Sequence, residues 1–213
     1  MAIMITTIWT PNNSGATPQL SVNLTTARDA MRKDGYSAEV MALIPGGGGA
    51  PGEMGLAVDY DTPDAYVAAL SKGVSPSLAE AQASMQYSDS KPERTSTWIE
   101  LPGLETAYED LPKGVVQTSY IKVNAGQAAK AMELVTKSRN IMTSMGAKVR
   151  VMNAFLSSPT GMILFSVFHE SPGKWREFND ALIASAEWNE HWNDSGRVGA
   201  VEMMRQSAFA MLP

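Results

Sequence analysis

The stretches "ITTIWTPNN" (residues 5–13) and "VQTSYIKVN" (116–124) decide how this chain is read, because one lies over the other. At an offset of 111, Thr7 falls on Thr118, Trp9 on Tyr120 and Asn13 on Asn124. The same offset then matches Arg28 with Arg139, Met31 with Met142, Gly35 with Gly146, and "VMA" (40–42) with "VMN" (151–153). Past a glycine-rich stretch it drops to 109, pairing Val58 with Val167, Pro63 with Pro172 and Tyr66 with Trp175. An offset held through three successive elements marks a tandem duplication. The chain divides into a first repeat at 1–110 and a second at 115–213, joined near "EDLPKG".

Each repeat carries the same order of elements. In the second, "VVQTSYIKV" is rich in β-formers and bounded by Gly114 and Asn124, which predicts a strand. Asn124 with Gln127 has the spacing of a capping box, and Ala131, Leu134, Ser138, Ile141 and Met145 then form one mainly apolar helical stripe ending at Gly146. "KVRVMNAFL" and "GMILFSVFHE" predict two strands around "SSPT", Ser171-Pro172 opens a second helix, and "VEMMRQSAFAML" closes the repeat as a strand. The first repeat follows suit, with Thr17-Pro18 and Thr62-Pro63 at its helix starts. The predicted order, β-α-β-β-α-β, is the split βαβ of ferredoxin-like units. A four-stranded sheet with both helices on one face leaves its other face to be covered. A second copy packed sheet to sheet does so.

"ALIPGGGGAPGEMGL" (42–56) reads as a flexible hairpin connection rather than a phosphate cradle. A P-loop joins a strand to a helix and carries Gly-Lys-Ser/Thr, whereas these glycines join two strands with no such sequence after them.

With 213 residues, a net charge of −5 and no basic cluster, the chain lacks the electrostatic footprint of nucleic-acid binding. No apolar run approaches membrane-spanning length and no secretory leader is recognisable, so a cytoplasmic protein is expected. The absence of cysteine removes disulfides, thiolate nucleophiles and Cys-ligated zinc, and with two histidines no metal site is expected.

Duplication, topology and the Thr/Ser-Pro helix starts in "DTPDAYVAAL" and "ESPGKWREFNDAL" together resemble the dimeric α/β-barrel superfamily, which includes antibiotic-biosynthesis monooxygenases, EthD-like and NIPSNAP-like proteins. The resemblance implies an α+β fold of two ferredoxin-like units forming a barrel within one chain. It also implies binding or oxidation of a small hydrophobic molecule without a cofactor. The alternative is a non-catalytic structural or assembly module of the same fold, with aromatic residues at the contacts of a homo-oligomer.

Few residues can carry chemistry. His169 ends a strand and is a candidate proton acceptor, its pKa lying near neutrality; a strand-margin histidine bonded to the next helix is the structural alternative. Trp175 and Phe178, with Trp188 and Trp192, form an aromatic set without an equal in the first repeat, suited to a planar ligand or to core packing. Asn153, where the first repeat has Ala42, is a candidate ligand contact or a strand-edge tie. Tyr120 is a further ligand candidate, although the match to Trp9 also suits packing. The counterparts of His169, Asn153, Trp175 and Phe178 are Tyr60, Ala42, Tyr66 and Ala69, which places the expected pocket in the second repeat. His191 beside Glu187 or Glu190 is a fragment of a metal site or, more simply, surface charge. Arg28 and Arg139 recur at one helical position, as structural residues would.

Overall fold

The structure is a computed structural model that describes residues 1–155 and 161–213. Among these it forms eight strands: β1 (Ile3–Pro11), β2 (Ser37–Leu43), β3 (Met54–Tyr60), β4 (Ser90–Glu100), β5 (Val115–Val123), β6 (Lys148–Ala154), β7 (Met162–His169) and β8 (Val201–Met211). The helices are α1 (Thr17–Lys33), α2 (Pro63–Lys72), α3 (Pro76–Ser84), α4 (Ala128–Ser144), α5 (Pro172–Ala184) and α6 (Ala186–Val198). The predicted "SSPT" turn lies outside the described residues.

The strands close into a barrel in the order β1-β3-β2-β8-β5-β7-β6-β4. Each half is a ferredoxin-like sheet, and the halves join at two seams, Met41 against Met211 and Met152 against Glu100. Alternation along each strand sends one set of side chains inward and the other out to the helices. Met4, Met41, Trp98, Met152, Leu164, Phe168 and Phe209 fill the interior. Leu20 and Leu24 of α1 cover Val40, Leu56 and Val58, while Val135 and Met142 of α4 cover Val151 and Val167.

The second helix of each repeat is broken into two, which the sequence pattern did not reveal. Gly73, at φ 68°, ends α2, and Ser75 caps α3 by accepting from Leu78 N–H. Ser185 terminates α5 and caps α6. The extra helices pack beside the first ones, α3 on α1 and α6 on α4. Thr62 and Ser171 cap α2 and α5 as expected. The capping box at Asn124 does not form: α4 begins at Ala128, and the Asn124 amide donates instead to Gly199 O at 2.8 Å.

One register in the sequence alignment is also corrected. The first strands correspond at 112 rather than 111, since the matching register shifts fall after Ile8 of β1 against β4 and after Tyr120 of β5 against β8. Since a one-residue slip exchanges the faces of a strand, the counterpart of Tyr120 is Ile8, and both line the interior. Trp9 faces out toward the α1 cluster.

The glycine stretch does connect β2 to β3, and it is tied down rather than free. Ala208 N–H donates to Gly47 O at 2.8 Å and Ser207 Oγ to Gly48 O at 3.0 Å, so the loop lies on β8. Gly48 has φ +80°, and a Cβ there would stand 2.1 Å from Gln206 O. Only glycine fits such an approach.

Candidate functional site

His169 is the last residue of β7, immediately before the Ser171 cap that starts α5. Its neighbour Phe168 points into the barrel, so His169 points outward to the helix layer. There it lines an open cleft of about 430 Å³ with Met145, Glu170, Lys174, Glu177 and Phe178. The imidazole is buried, 5.0 Å from the Phe178 ring, and its Nε2 has no hydrogen-bond partner. Burial pushes its pKa below the ordinary histidine value, so the ring is neutral near pH 7. An unpaired, buried ring nitrogen on a residue that lines a cleft is an unusual arrangement, since buried polar atoms are nearly always bonded. With the proton on Nδ1, Nε2 can accept a proton or a hydrogen bond from a ligand.

The first repeat has the corresponding cleft, of about 270 Å³, lined by Gly35, Tyr36, Asp59, Tyr60 and Ala69. Tyr60 stands where His169 does. It stacks edge-on with Tyr36 at 5.7 Å and Tyr66 at 5.4 Å, and Tyr36 narrows the space where the second repeat has Ala147.

The remaining candidates do not gather at this cleft. Trp175 lies on α5 with its indole N–H donating to Gln117 Oε1 of β5 at 2.9 Å. Asn153 is half-buried at the β4–β6 seam, in register with Ile99 and Ile163, at the opposite end of β7 from His169. Tyr120 is inside the barrel, 4.1 Å beneath the Arg94 guanidinium. His191 is buried and shares a 2.7 Å hydrogen bond with Ser138 Oγ of α4, whereas Glu187 and Glu190 are exposed. Among the described residues, no group of three or more His, Asp or Glu side chains is placed to hold a metal ion. Arg28 donates to the carbonyls of Leu212 and Pro213, a structural clamp on the chain end.

A second polar centre, missed at the level of sequence, occupies one end of the barrel interior. Arg150 of β6 is almost wholly buried; its Nη1 donates to Asp59 of β3, and its Nε to Glu100 of β4 at 2.9 Å. Burial, reinforced by the charge of Glu100, pushes the Asp59 carboxyl up despite the adjacent guanidinium. Beside this trio, Glu39 accepts from Tyr108 Oη at 2.5 Å and pairs with Arg32 and Lys113. Tyr108 and Leu111 come from the connection between β4 and β5, which folds across this end of the barrel. A signal was available in the sequence: Glu39 and Arg150 stand at an offset of 111, so opposite charges occupy one repeat position inside the barrel.

No family profile matches the sequence, and no curated protein does. Solved structures do match in shape. A Lactobacillus acidophilus NCFM protein named a "putative monooxygenase" superposes with a TM-score of 0.62 at 9% identity, over 99% of this chain and 93% of its own. A Fusobacterium nucleatum protein of the same name gives 0.63 at 7% identity, over 99% and 91%. A haem-binding protein from Thermus thermophilus gives 0.56 at 11% identity, over 100% and 91%. At such identities the likeness is one of fold. With its two ferredoxin-like halves closing a single barrel, the chain has the fold of the dimeric α/β-barrel superfamily.

Proposed function

We propose that the second repeat binds a small hydrophobic molecule in the His169 cleft and oxidises it as a cofactor-independent monooxygenase. The observation that carries this reading is the buried, unpartnered His169 Nε2 on a residue that lines a cleft, where the smaller first-repeat cleft has Tyr60 instead. The monooxygenase-named neighbours supply the reaction class.

The step that these residues support is proton abstraction. His169 Nε2 takes a proton from an activated methylene of the substrate, and the carbanion passes its electrons to dioxygen. Loss of water from the resulting hydroperoxide leaves a carbonyl, so one oxygen atom enters the product and the other leaves as water. Dioxygen is the oxidant and the substrate the reductant. Phe178 supplies an apolar wall, and the Lys174–Glu177 pair, at 2.7 Å, lies on the cleft rim.

Haem, suggested by the Thermus neighbour, fits these residues poorly. His191 Nε2 is held by Ser138, and the His169 ring packs on Phe178 where a macrocycle would need a slot.

The test is a thermal-shift screen with planar hydrophobic ligands, followed by oxygen uptake with those that bind. His169→Ala is expected to abolish turnover with little change in melting temperature. Ligand response without oxygen uptake would reduce the function to binding. Unchanged ligand response in His169→Ala would leave the non-catalytic module as the better account.

A further inference from the structure

We propose a second ligand site, inside the barrel, that takes a small neutral carbonyl compound. It lies on the other face of the sheet from His169, which Phe168 separates from it.

The interior contains a cavity of about 40 Å³ walled by Met4, Met41, Ala57, Leu164, Phe209 and Met211, with Arg150 and Asp59 at its polar end. Arg150 has two of its three nitrogens engaged by carboxylates; its Nη2 is buried and has no partner. A guanidinium N–H kept from water without an acceptor is costly, and a ligand oxygen placed there would remove that cost. The acceptors already present are occupied: Glu100 receives Arg150 Nε and Ala2 N–H, and Glu39 receives Tyr108, Arg32 and Lys113.

The charge of the ligand follows from the approach. On the outer side of Arg150 lies a recess of about 320 Å³ lined by Asp61, Glu100, Glu105, Thr106, Tyr108 and Glu109. Asp59, Tyr108 and Arg150 border both spaces, so this layer is the partition between mouth and cavity. Carboxylates at the mouth are a barrier to an anion, and the lack of an acceptor for Arg150 Nη2 is a barrier to a cation. A neutral acceptor, the oxygen of a ketone or aldehyde, meets neither barrier. Its body must be apolar to match the walls.

Size follows from the volume. The cavity has room for about three waters, and methionine side chains, unbranched and easily rearranged, can yield more. A ring of about six or seven non-hydrogen atoms is the upper limit this implies.

Cyclohexanone is the probe, methylenecyclohexane the isosteric control without an acceptor, and cyclohexanecarboxylate the anionic control. Binding is read from the ¹³C-methyl signals of Met4, Met41 and Met211 in the intact chain. Cyclohexanone is expected to shift all three saturably and to bind at least about tenfold more tightly than either control, as a hydrogen bond to a charged donor implies. Ala57→Leu, which fills the cavity, is expected to remove the shifts. Failure of cyclohexanone to shift these methyls in the wild-type protein overturns the proposal even if Ala57→Leu does not fold. Equal binding of the hydrocarbon, tighter binding of the carboxylate, or shifts that persist in folded Ala57→Leu overturn it as well.

Discussion

The two repeats share a scaffold and differ in what they place at matching points. At the inward position of the second strand, the first repeat has Glu39 and the second Arg150; at the end of the third strand, the pairs Asp59–Tyr60 and Phe168–His169 correspond. Inside, the first repeat contributes carboxylates and the second contributes the cation that neutralises them. Outside, the first repeat narrows its cleft with tyrosines and the second has a wider one beside a histidine. Both halves have the same fold, and they differ in the side chains they place on it.

The harshest test of this division is Arg150→Met. The substitution leaves Asp59 and Glu100 buried without their shared cation, and breaking a buried pair from one side costs about 3–5 kcal/mol. Urea denaturation at pH 7 should show a loss of that order. A loss below about 1 kcal/mol would mean that the inner halves are not electrostatically complementary.

Next comes conversion of the second cleft into the first. The double substitution Ala147→Tyr with His169→Tyr installs the residues found at Tyr36 and Tyr60. It is expected to weaken ligand response about a hundredfold, equivalent to roughly 2.7 kcal/mol, with the protein still folded by circular dichroism. Undiminished binding would show that the open cleft is not where the two repeats differ in function.

Much of the fold was legible because apolar periodicity and a constant offset are properties of the sequence itself. The barrel strands, the Ser171 and Thr62 caps and the helix stop at Gly146 all follow from local signals. What was hidden depends on distant partners. The connection from the first strand to the first helix is one residue longer in the first half, without any mark in composition, and so Tyr120 was matched to Trp9 and not to Ile8. Gly48 is required by the backbone of β8, more than 150 residues away in sequence, as the separation of Gly48 from Ser207 shows. Arg150 could be matched to Glu39 by the repeat offset, but its partners Asp59 and Glu100 reach it only when the barrel closes. His169 could be singled out at the sequence level, since a lone histidine at a strand end is conspicuous; Asn153 and Trp175 were conspicuous too, yet tertiary placement sends them elsewhere.

A smaller effect concerns pH. The folded state holds the His169 pKa below its unfolded value of about 6.5, so the unfolded chain binds the proton more readily. The stability due to neutral His169 is therefore present above pH 6.5 and lost as the pH falls through the depressed folded value. His191, depressed by burial as well, acts in the same direction. Asp59, raised by burial, has the opposite sign, its contribution present at low pH and lost as the pH rises through its folded value. Comparing urea midpoints at pH 7 and 5.5, His169→Gln should flatten the decline without removing it, by at most one proton or about 1.4 kcal/mol per pH unit. Tyr60 has no such titration in this range, so Tyr60→Phe should leave the slope alone. An unchanged slope in His169→Gln would mean that His169 is not held neutral by burial.

The smallest effect is expected from Tyr60→Phe itself, and it separates the narrower cleft from the working one. The Tyr60 ring makes the edge contacts to Tyr36 and Tyr66 that narrow the first-repeat cleft, and these survive loss of the hydroxyl. Burial pushes the Tyr60 phenol above its ordinary value, with the neighbouring tyrosines adding to the shift, so the group is neutral at physiological pH and offers no base. Removing the oxygen therefore deletes at most one hydrogen bond, roughly 0.5–1.5 kcal/mol, and for a half-buried residue the lower end applies. Ligand response and oxygen uptake should both remain at the wild-type level, in contrast to His169→Ala. A Tyr60→Phe variant that lost turnover while keeping its melting temperature would move the chemistry into the first repeat and reverse the division of labour between the two halves.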